Sequence, residues 1–235
     1  MIYLFLFIAA FIQGLSGFGF NLIALPLISI SFPLTYTVPF LTLIGTYLNV
    51  FQLFQLKKKP SAKIVLPLLI SGLIFVPVGM IFLLKVPNNI LKLCVGFLII
   101  LAAFFLAKGF RIKGKSLTFQ CIIGGALSGI LKGAASIGGP PVVILLSNFD
   151  LDKETYKSNL ISYFMLVGIL ALPSYIKANL FTKPMVLDSF KGLFIAFIGL
   201  QLGHFIFKKL GEKHFQKITY SIVIITGIFT VISAL

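Results

Sequence analysis

The sequence predicts an all-α integral membrane protein built from two inverted repeats, with six full transmembrane helices and two re-entrant broken-helix hairpins; eight plain spans are the alternative. Three observations carry this reading. The 235 residues are 59% apolar and only 11% charged, with a mean hydropathy of +1.10, whereas soluble domains run near 45–50% apolar and about 25% charged. A water-soluble enzyme, a disordered tail and a nucleic-acid-binding domain are therefore excluded. The chain also divides at charged or proline-bearing breaks into eight apolar units, about the number that roughly 20 residues per crossing allows. Finally, two of those units are too long for one crossing and carry helix breakers at mid-length.

The breaks fall at Pro33 to Pro39, Lys57 to Ser61, Lys85 to Asn89, Lys108 to Lys115, Asp150 to Lys157, Lys177 to Lys183 and Lys208 to Lys213. They bound six units of spanning length, at 38–56, 63–84, 88–107, 157–176, 185–207 and 214–234. The long units, Met1 to Ser31 and Ser116 to Phe149, have 31 and 34 residues and as straight helices would measure about 46 and 51 Å. The first holds Gly14-Leu15-Ser16-Gly17-Phe18-Gly19 and Pro26; the second holds Gly133 and Gly138-Gly139-Pro140-Pro141. Opened backbone is tolerated at membrane depth only where protein buries it or a cavity solvates it, so each long unit is expected to be two short helices joined by non-helical backbone. The first apolar stretch has no basic n-region and no small-residue cleavage site, so it is expected to stay in the protein.

The halves resemble each other. A shift of 124 residues superposes Gly79 on Gly203 and Lys85 on Lys209, and a shift of 114 superposes Pro26 on Pro140 and Gly19 on Gly133. With the matched order of one long unit and three spans, this predicts a first membrane repeat at 1–110 and a second at 116–235. Charge then fixes the topology. Eight single crossings divide the loop Lys/Arg as 11 and 8, whereas two re-entrant units divide them as 14 and 5, and only the second layout satisfies the positive-inside rule. It inverts the second repeat and puts both termini outside.

Ends of broken helices carry unpaired amides and a partial positive charge, which suits an anion. In the second unit the expected donors are the amides of Gly138, Gly139, Val142 and Val143 and the Ser136 hydroxyl, with Pro140 opening the helix. Lys132 is the sole charge between Lys115 and Asp150; an intramembrane cation is costly and commonly lines a substrate path or has a fixed partner. The matching candidates in the first unit are Ser16, Gly17, Gly19 and Asn21. Asn49 with Gln52, and Gln201 with His204, are i,i+3 pairs that could each face a cavity, so Asn49, Gln52 and His204 join the candidate substrate-binding set. Gln13, Asn159 and Tyr163 are further polar residues within apolar units. Asp188, four residues into the 185–207 unit, is the one acid within a predicted span and none lies at mid-depth, so a carboxylate proton relay is not expected, and an anion leaving a negative interior is already driven by about 2.3 kcal/mol per charge per 100 mV.

The two glycine-rich segments, Gly14 to Pro26 and Gly129 to Val143 ending in Gly-Gly-Pro-Pro, resemble the paired signatures of the sulfite exporter TauE/SafE family, bacterial and archaeal inner-membrane proteins made of two related halves. The similarity runs over nearly the whole chain, including Gln52 to Lys59 and Gly203 to Lys209. It implies a multi-pass inner-membrane transporter that exports a small sulfur-containing anion such as sulfite or sulfoacetate. Lys132-Gly133-Ala134-Ala135-Ser136 departs from the more glycine-rich sequence usual in that family. No catalytic residue, metal or cofactor is expected, nor any nucleic acid; the partners are the small anion and the lipid bilayer, and a homodimer is compatible with the sequence. A passive anion or small-solute channel is one alternative. A thiol relay through Cys94 and Cys121 is another, and it needs their Cα atoms within about 7 Å.

Overall fold

The computed structural model describes residues 1–107, 116–207, 228 and 231–232. Among them are nine helices: α1 (Ile2–Ser16), α2 (Phe20–Ser29), α3 (Leu34–Leu53), α4 (Ala62–Lys85), α5 (Asn88–Ala107), α6 (Leu117–Ala135), α7 (Gly139–Leu146), α8 (Lys153–Lys177) and α9 (Lys183–Phe207). Five of these, α3, α4, α6, α8 and α9, are long and apolar enough to cross a membrane, so the chain is a multi-pass membrane protein. The expected span at 214–234 and the basic stretches 108–115 and 208–213 fall outside the described residues, apart from 228 and 231–232.

Both long units break where glycines and the Gly-Gly-Pro-Pro run suggested, between α1 and α2 and between α6 and α7. The pieces are unequal. At 19 residues α6 is itself of spanning length, so the second unit is one long helix and one of 8 residues and not two short ones. Several expected breakers are also helical. Pro39 lies inside α3, which already starts after Pro33, and Pro26, Pro67, Pro77 and Pro173 lie inside α2, α4 and α8. Bundles at membrane depth accept this because neighbouring groups re-satisfy the freed backbone.

Gly14 and Gly133 are helical too, and their role is close packing. The most extensive helix pairings are α4 with α6 and α1 with α9. A Cβ on Gly133 would stand 2.1 Å from the Val76 carbonyl oxygen, and one on Gly79 would stand 2.0 Å from that of Ile130. The other crossing has the same construction: a Cβ on Gly14 would stand 2.1 Å from the Leu200 carbonyl oxygen and one on Gly203 would stand 2.0 Å from that of Phe11. Small residues let membrane helices approach backbone to backbone, where dispersion and weak polar contacts replace the missing hydrophobic drive. In both pairs the chains run parallel, since Leu68, Gly72 and Val76 face Gly125, Gly129 and Gly133 in order.

The helix ends gather into two sets. At one end the α3–α4 connection meets the start of α8: Lys58 Nζ lies 2.9 Å from Asp152 Oδ1, Ser158 Oγ donates to the Lys58 carbonyl at 2.7 Å, and the Ser61 N–H donates to Asn159 Oδ1 at 2.6 Å. Asp152 also caps α8, accepting from the Thr155 N–H at 3.2 Å and its hydroxyl at 2.6 Å, the usual service of an N-cap carboxylate. At the other end the Leu34 N–H donates to Asn88 Oδ1 at 3.0 Å, and buried Lys92 donates to the Ser29 carbonyl at the close of α2. Ile70, Ile74, Phe97, Phe119, Phe190 and Phe194 point outward from α4, α5, α6 and α9, as side chains facing hydrocarbon should. Within this jacket α2 buries eight of its ten residues.

Candidate functional site

The first break is Gly17-Phe18-Gly19. The α1 ladder closes with the Gly17 N–H on the Gln13 carbonyl at 2.7 Å, and Gly17 and Gly19 have φ of 80° and 101°, a region that glycine enters without a Cβ penalty. The second break closes α6 in the same way, the Ser136 N–H on the Lys132 carbonyl at 2.8 Å and the Ile137 N–H on that of Leu131 at 3.2 Å. Here a serine takes the left-handed position, at φ 58°. A strained non-glycine residue persists where its surroundings fix it, and Ser136 is held on every side.

Its hydroxyl is the hub of the site. Ser136 Oγ lies 2.7 Å from Thr42 Oγ1, 3.0 Å from Asn21 Nδ2 and 3.2 Å from Lys132 Nζ. The Thr42 hydrogen is already directed to the Val38 carbonyl at 2.9 Å, so Ser136 donates to Thr42 and accepts from Asn21 and Lys132. That uses its one hydrogen and both lone pairs. With Thr42, Asn21 and Lys132 as its neighbours the Ser136 hydroxyl has no hydrogen to spare in this arrangement, whereas the sequence reading expected it to donate to an anion.

Between the two breaks lies a cavity of about 50 Å³. Of the candidate residues, Lys132, Ser136, Gly138, Gly139, Gly19, Asn21 and Asn49 line it. Gly17 is next to it under the Lys157 stem, Pro140 is buried behind Gly139, and Gln52 sits one layer out, accepting from Gln13 Nε2 at 2.8 Å. His204 does not line it; its backbone lies at the α1–α9 crossing beside Gly14. Ser16 is the last residue of α1. Residues that sequence reasoning left out of the set also line the cavity: Gln13, Gly45 and the aromatic rings of Phe18, Phe20 and Phe164. Gln13 carried a visible signal as a polar residue within an apolar unit; the aromatics carried none, in a chain with 26 phenylalanines.

Lys132 is only 6% exposed and, among the described residues, makes no ion pair. It stands sixteenth in α6, about 22 Å along its axis. Ser136 takes one of its three hydrogens, leaving two for the cavity. Two helix starts add to this positive field. The Ile23 N–H is the first in α2 to find an intrahelical acceptor, Gly19 O at 3.2 Å, so the amides of Phe20, Asn21 and Leu22 have none, and all three residues line the cavity. At α7 the second and third helical positions are Pro140 and Pro141, which leaves the Gly139 amide at the cavity wall. Val142 and Val143, the other expected donors, are buried and do not line the cavity. The remaining polar contacts brace the backbone: Tyr175 donates to the Lys132 carbonyl at 2.9 Å, and Tyr163 donates to Ser128, whose hydroxyl donates to the Gly138 carbonyl at 2.6 Å.

Cys94 is exposed near the start of α5 and Cys121 is buried near the start of α6; both are free thiols. The family model described as sulfite exporter TauE/SafE matches residues 2–230. No curated protein and no solved structure is similar enough to match the chain.

Proposed function

The chain belongs to the sulfite exporter TauE/SafE family and is a membrane transporter rather than an enzyme, and on that premise we propose that it carries a small sulfur-containing anion, sulfite or a small organosulfonate, outward across the inner membrane through the cavity between its broken helices. The single observation that carries this reading is Lys132: a cation buried without an ion-pair partner among the described residues, with two free hydrogens beside the α2 and α7 N-termini. A buried ammonium needs a counter-charge, and an anionic passenger supplies one.

Alternating access between two inverted repeats is the proposed mechanism. Gly14 and Gly133 make equivalent contacts 119 residues apart, as do Gly79 and Gly203 at 124. Phe11 and Ile130, the carbonyls met by Gly203 and Gly79, are again 119 apart. The repeat is thus better supported by this register than by the 114-residue shift that paired Gly19 with Gly133. Re-entrant hairpins are favoured by the ends: α6 runs parallel to α4, whose start lies with the Lys58–Asp152 cluster, and α7 leads back to Asp152 at that same end. The same end holds Lys57, Lys58, Lys59, Lys63, Lys153 and Lys157, and by the positive-inside rule it faces the cytoplasm. Rocking one half against the other would open the cavity to each side in turn.

Purified protein in liposomes should show saturable sulfite counterflow, which Lys132→Met lowers about a hundredfold. Single-channel currents in place of saturable exchange would transfer the site to a passive pore.

A further inference from the structure

We propose that the anion bound at this site carries one negative charge and brings its own hydrogen-bond donor, as a hydrogen oxyanion such as hydrogensulfite does and a fully deprotonated one does not. This rests on the anion-site reading above and narrows the substrate to one protonation class.

The observation is Asn21. Its Nδ2 donates to the Ser136 carbonyl at 2.7 Å and to Ser136 Oγ at 3.0 Å, which uses both amide hydrogens and fixes which way the group faces. The opposite atom, Oδ1, is buried and has no partner. Flipping the amide would point oxygen at oxygen in Ser136 and lose both bonds, so the orphan atom is an acceptor. An unpaired buried acceptor is a recurrent cost unless something enters the cavity to donate to it. Asn21 lines that cavity, and so does Gly45, where a Cβ would stand 3.1 Å from Oδ1; glycine there keeps the approach to Oδ1 open.

The other side of the cavity has the opposite character. Lys132 presents two hydrogens and the α2 amides present more, all donors and all suited to anionic oxygens. Among the described residues that line the cavity Lys132 is the one lysine, which balances a single negative charge. A volume of about 50 Å³ holds an oxyanion of a few heavy atoms. A small monoanion with one O–H satisfies every group: its bare oxygens meet Lys132 and the amides while its hydroxyl donates to Asn21 Oδ1. A bare dianion would leave Oδ1 facing negative oxygen.

Hydrogensulfite and chlorate give a matched pair, since each has one negative charge and a four-atom core and only the first has a hydrogen to donate. Calorimetry on the full chain in detergent, at a pH below the second ionisation of sulfite, should find hydrogensulfite bound about tenfold or more tightly than chlorate, from the cost of an unmet acceptor. Asn21→Leu should bring the two affinities together. Equal affinities in the unmodified protein, or tighter chlorate, overturn the proposal. Should Asn21→Leu fail to fold, the pH series on the unmodified chain decides: apparent affinity for total sulfite falls above its second ionisation while chlorate affinity stays level, and parallel curves count against it. Lys132→Met separates the two readings. Loss of both anions there upholds the anion site whatever the ratio, whereas unchanged binding of both, or binding of neither by the unmodified chain, removes the site itself.

Discussion

The two breaks close their helices with the same backbone bonds and do opposite things with their side chains. Gln13 and Lys132 hold corresponding positions, each four residues before the left-handed cap residue that donates to its carbonyl, and both line the cavity. Gln13 spends both amide hydrogens on Asn49 at 3.0 Å and Gln52 at 2.8 Å, so it has none left for a ligand. Lys132 keeps two of three. The first break contributes bare backbone amides and the second contributes charge, with prolines where α7 would otherwise add more amides. One scaffold used twice thus yields an asymmetric site, because side chains diverge where backbone geometry cannot.

The largest test of that division is a pair of substitutions. Lys132→Met should lower sulfite transport about a hundredfold, the scale of losing hydrogen bonds to a charged group, whereas Gln13→Met should change it less than about tenfold. Equal losses in liposome counterflow would mean that both positions bind the passenger.

Next come the crossings. Gly14→Ala and Gly133→Ala should each destabilise the protein by about 1–3 kcal/mol through overpacking, read as matched falls in thermal midpoint in detergent; a fall at one position alone would show that the two crossings are not equivalent. At the caps the effects should part. Gly17→Ala should cost about 1–2 kcal/mol from its left-handed backbone and leave anion affinity nearly unchanged. Ser136→Gly relieves that strain and removes the hub of Asn21, Thr42 and Lys132, so it should weaken anion binding about tenfold with little change in midpoint.

The smallest effect lies far from the cavity. The Thr155 hydroxyl, and then Lys58, hold the Asp152 carboxyl well below its ordinary range. A depressed folded value stabilises the protein above the ordinary carboxylate pKa, near 4, and that contribution is lost as pH falls through the folded value. Asp152→Asn should therefore lower the thermal midpoint slightly at neutral pH and converge with the unmodified chain in strong acid. A gap independent of pH would assign the effect to packing.

Lys132 was legible in the sequence because a charge inside an apolar stretch has few innocent explanations, and Asn21, Gly19, Gly138 and Gly139 followed from the helix breaks around it. Thr42 was not legible: a threonine in a membrane helix can bond its own preceding turn, as Thr42 does to Val38, and nothing in the residue order says that Ser136 lies on its other side. Gly14 and Gly133 show the same ambiguity from the other direction. Glycine both breaks helices and lets them touch, and only the neighbouring chain, here Leu200 and Val76, decides between the two. His204 and Gln52 were placed by helical spacing, which gives a face but not its neighbour.

The exchange of partners between halves, α1 against α9 and α6 against α4, also bears on biogenesis. When α1 leaves the ribosome its main neighbour has not been synthesised, so the glycine-bearing stripe around Gly14 must wait in lipid, or under an insertase, until α9 arrives. Premature termination after α8 would strand that stripe, and quality-control proteases of the membrane would meet a chain whose opening helix never found its seat.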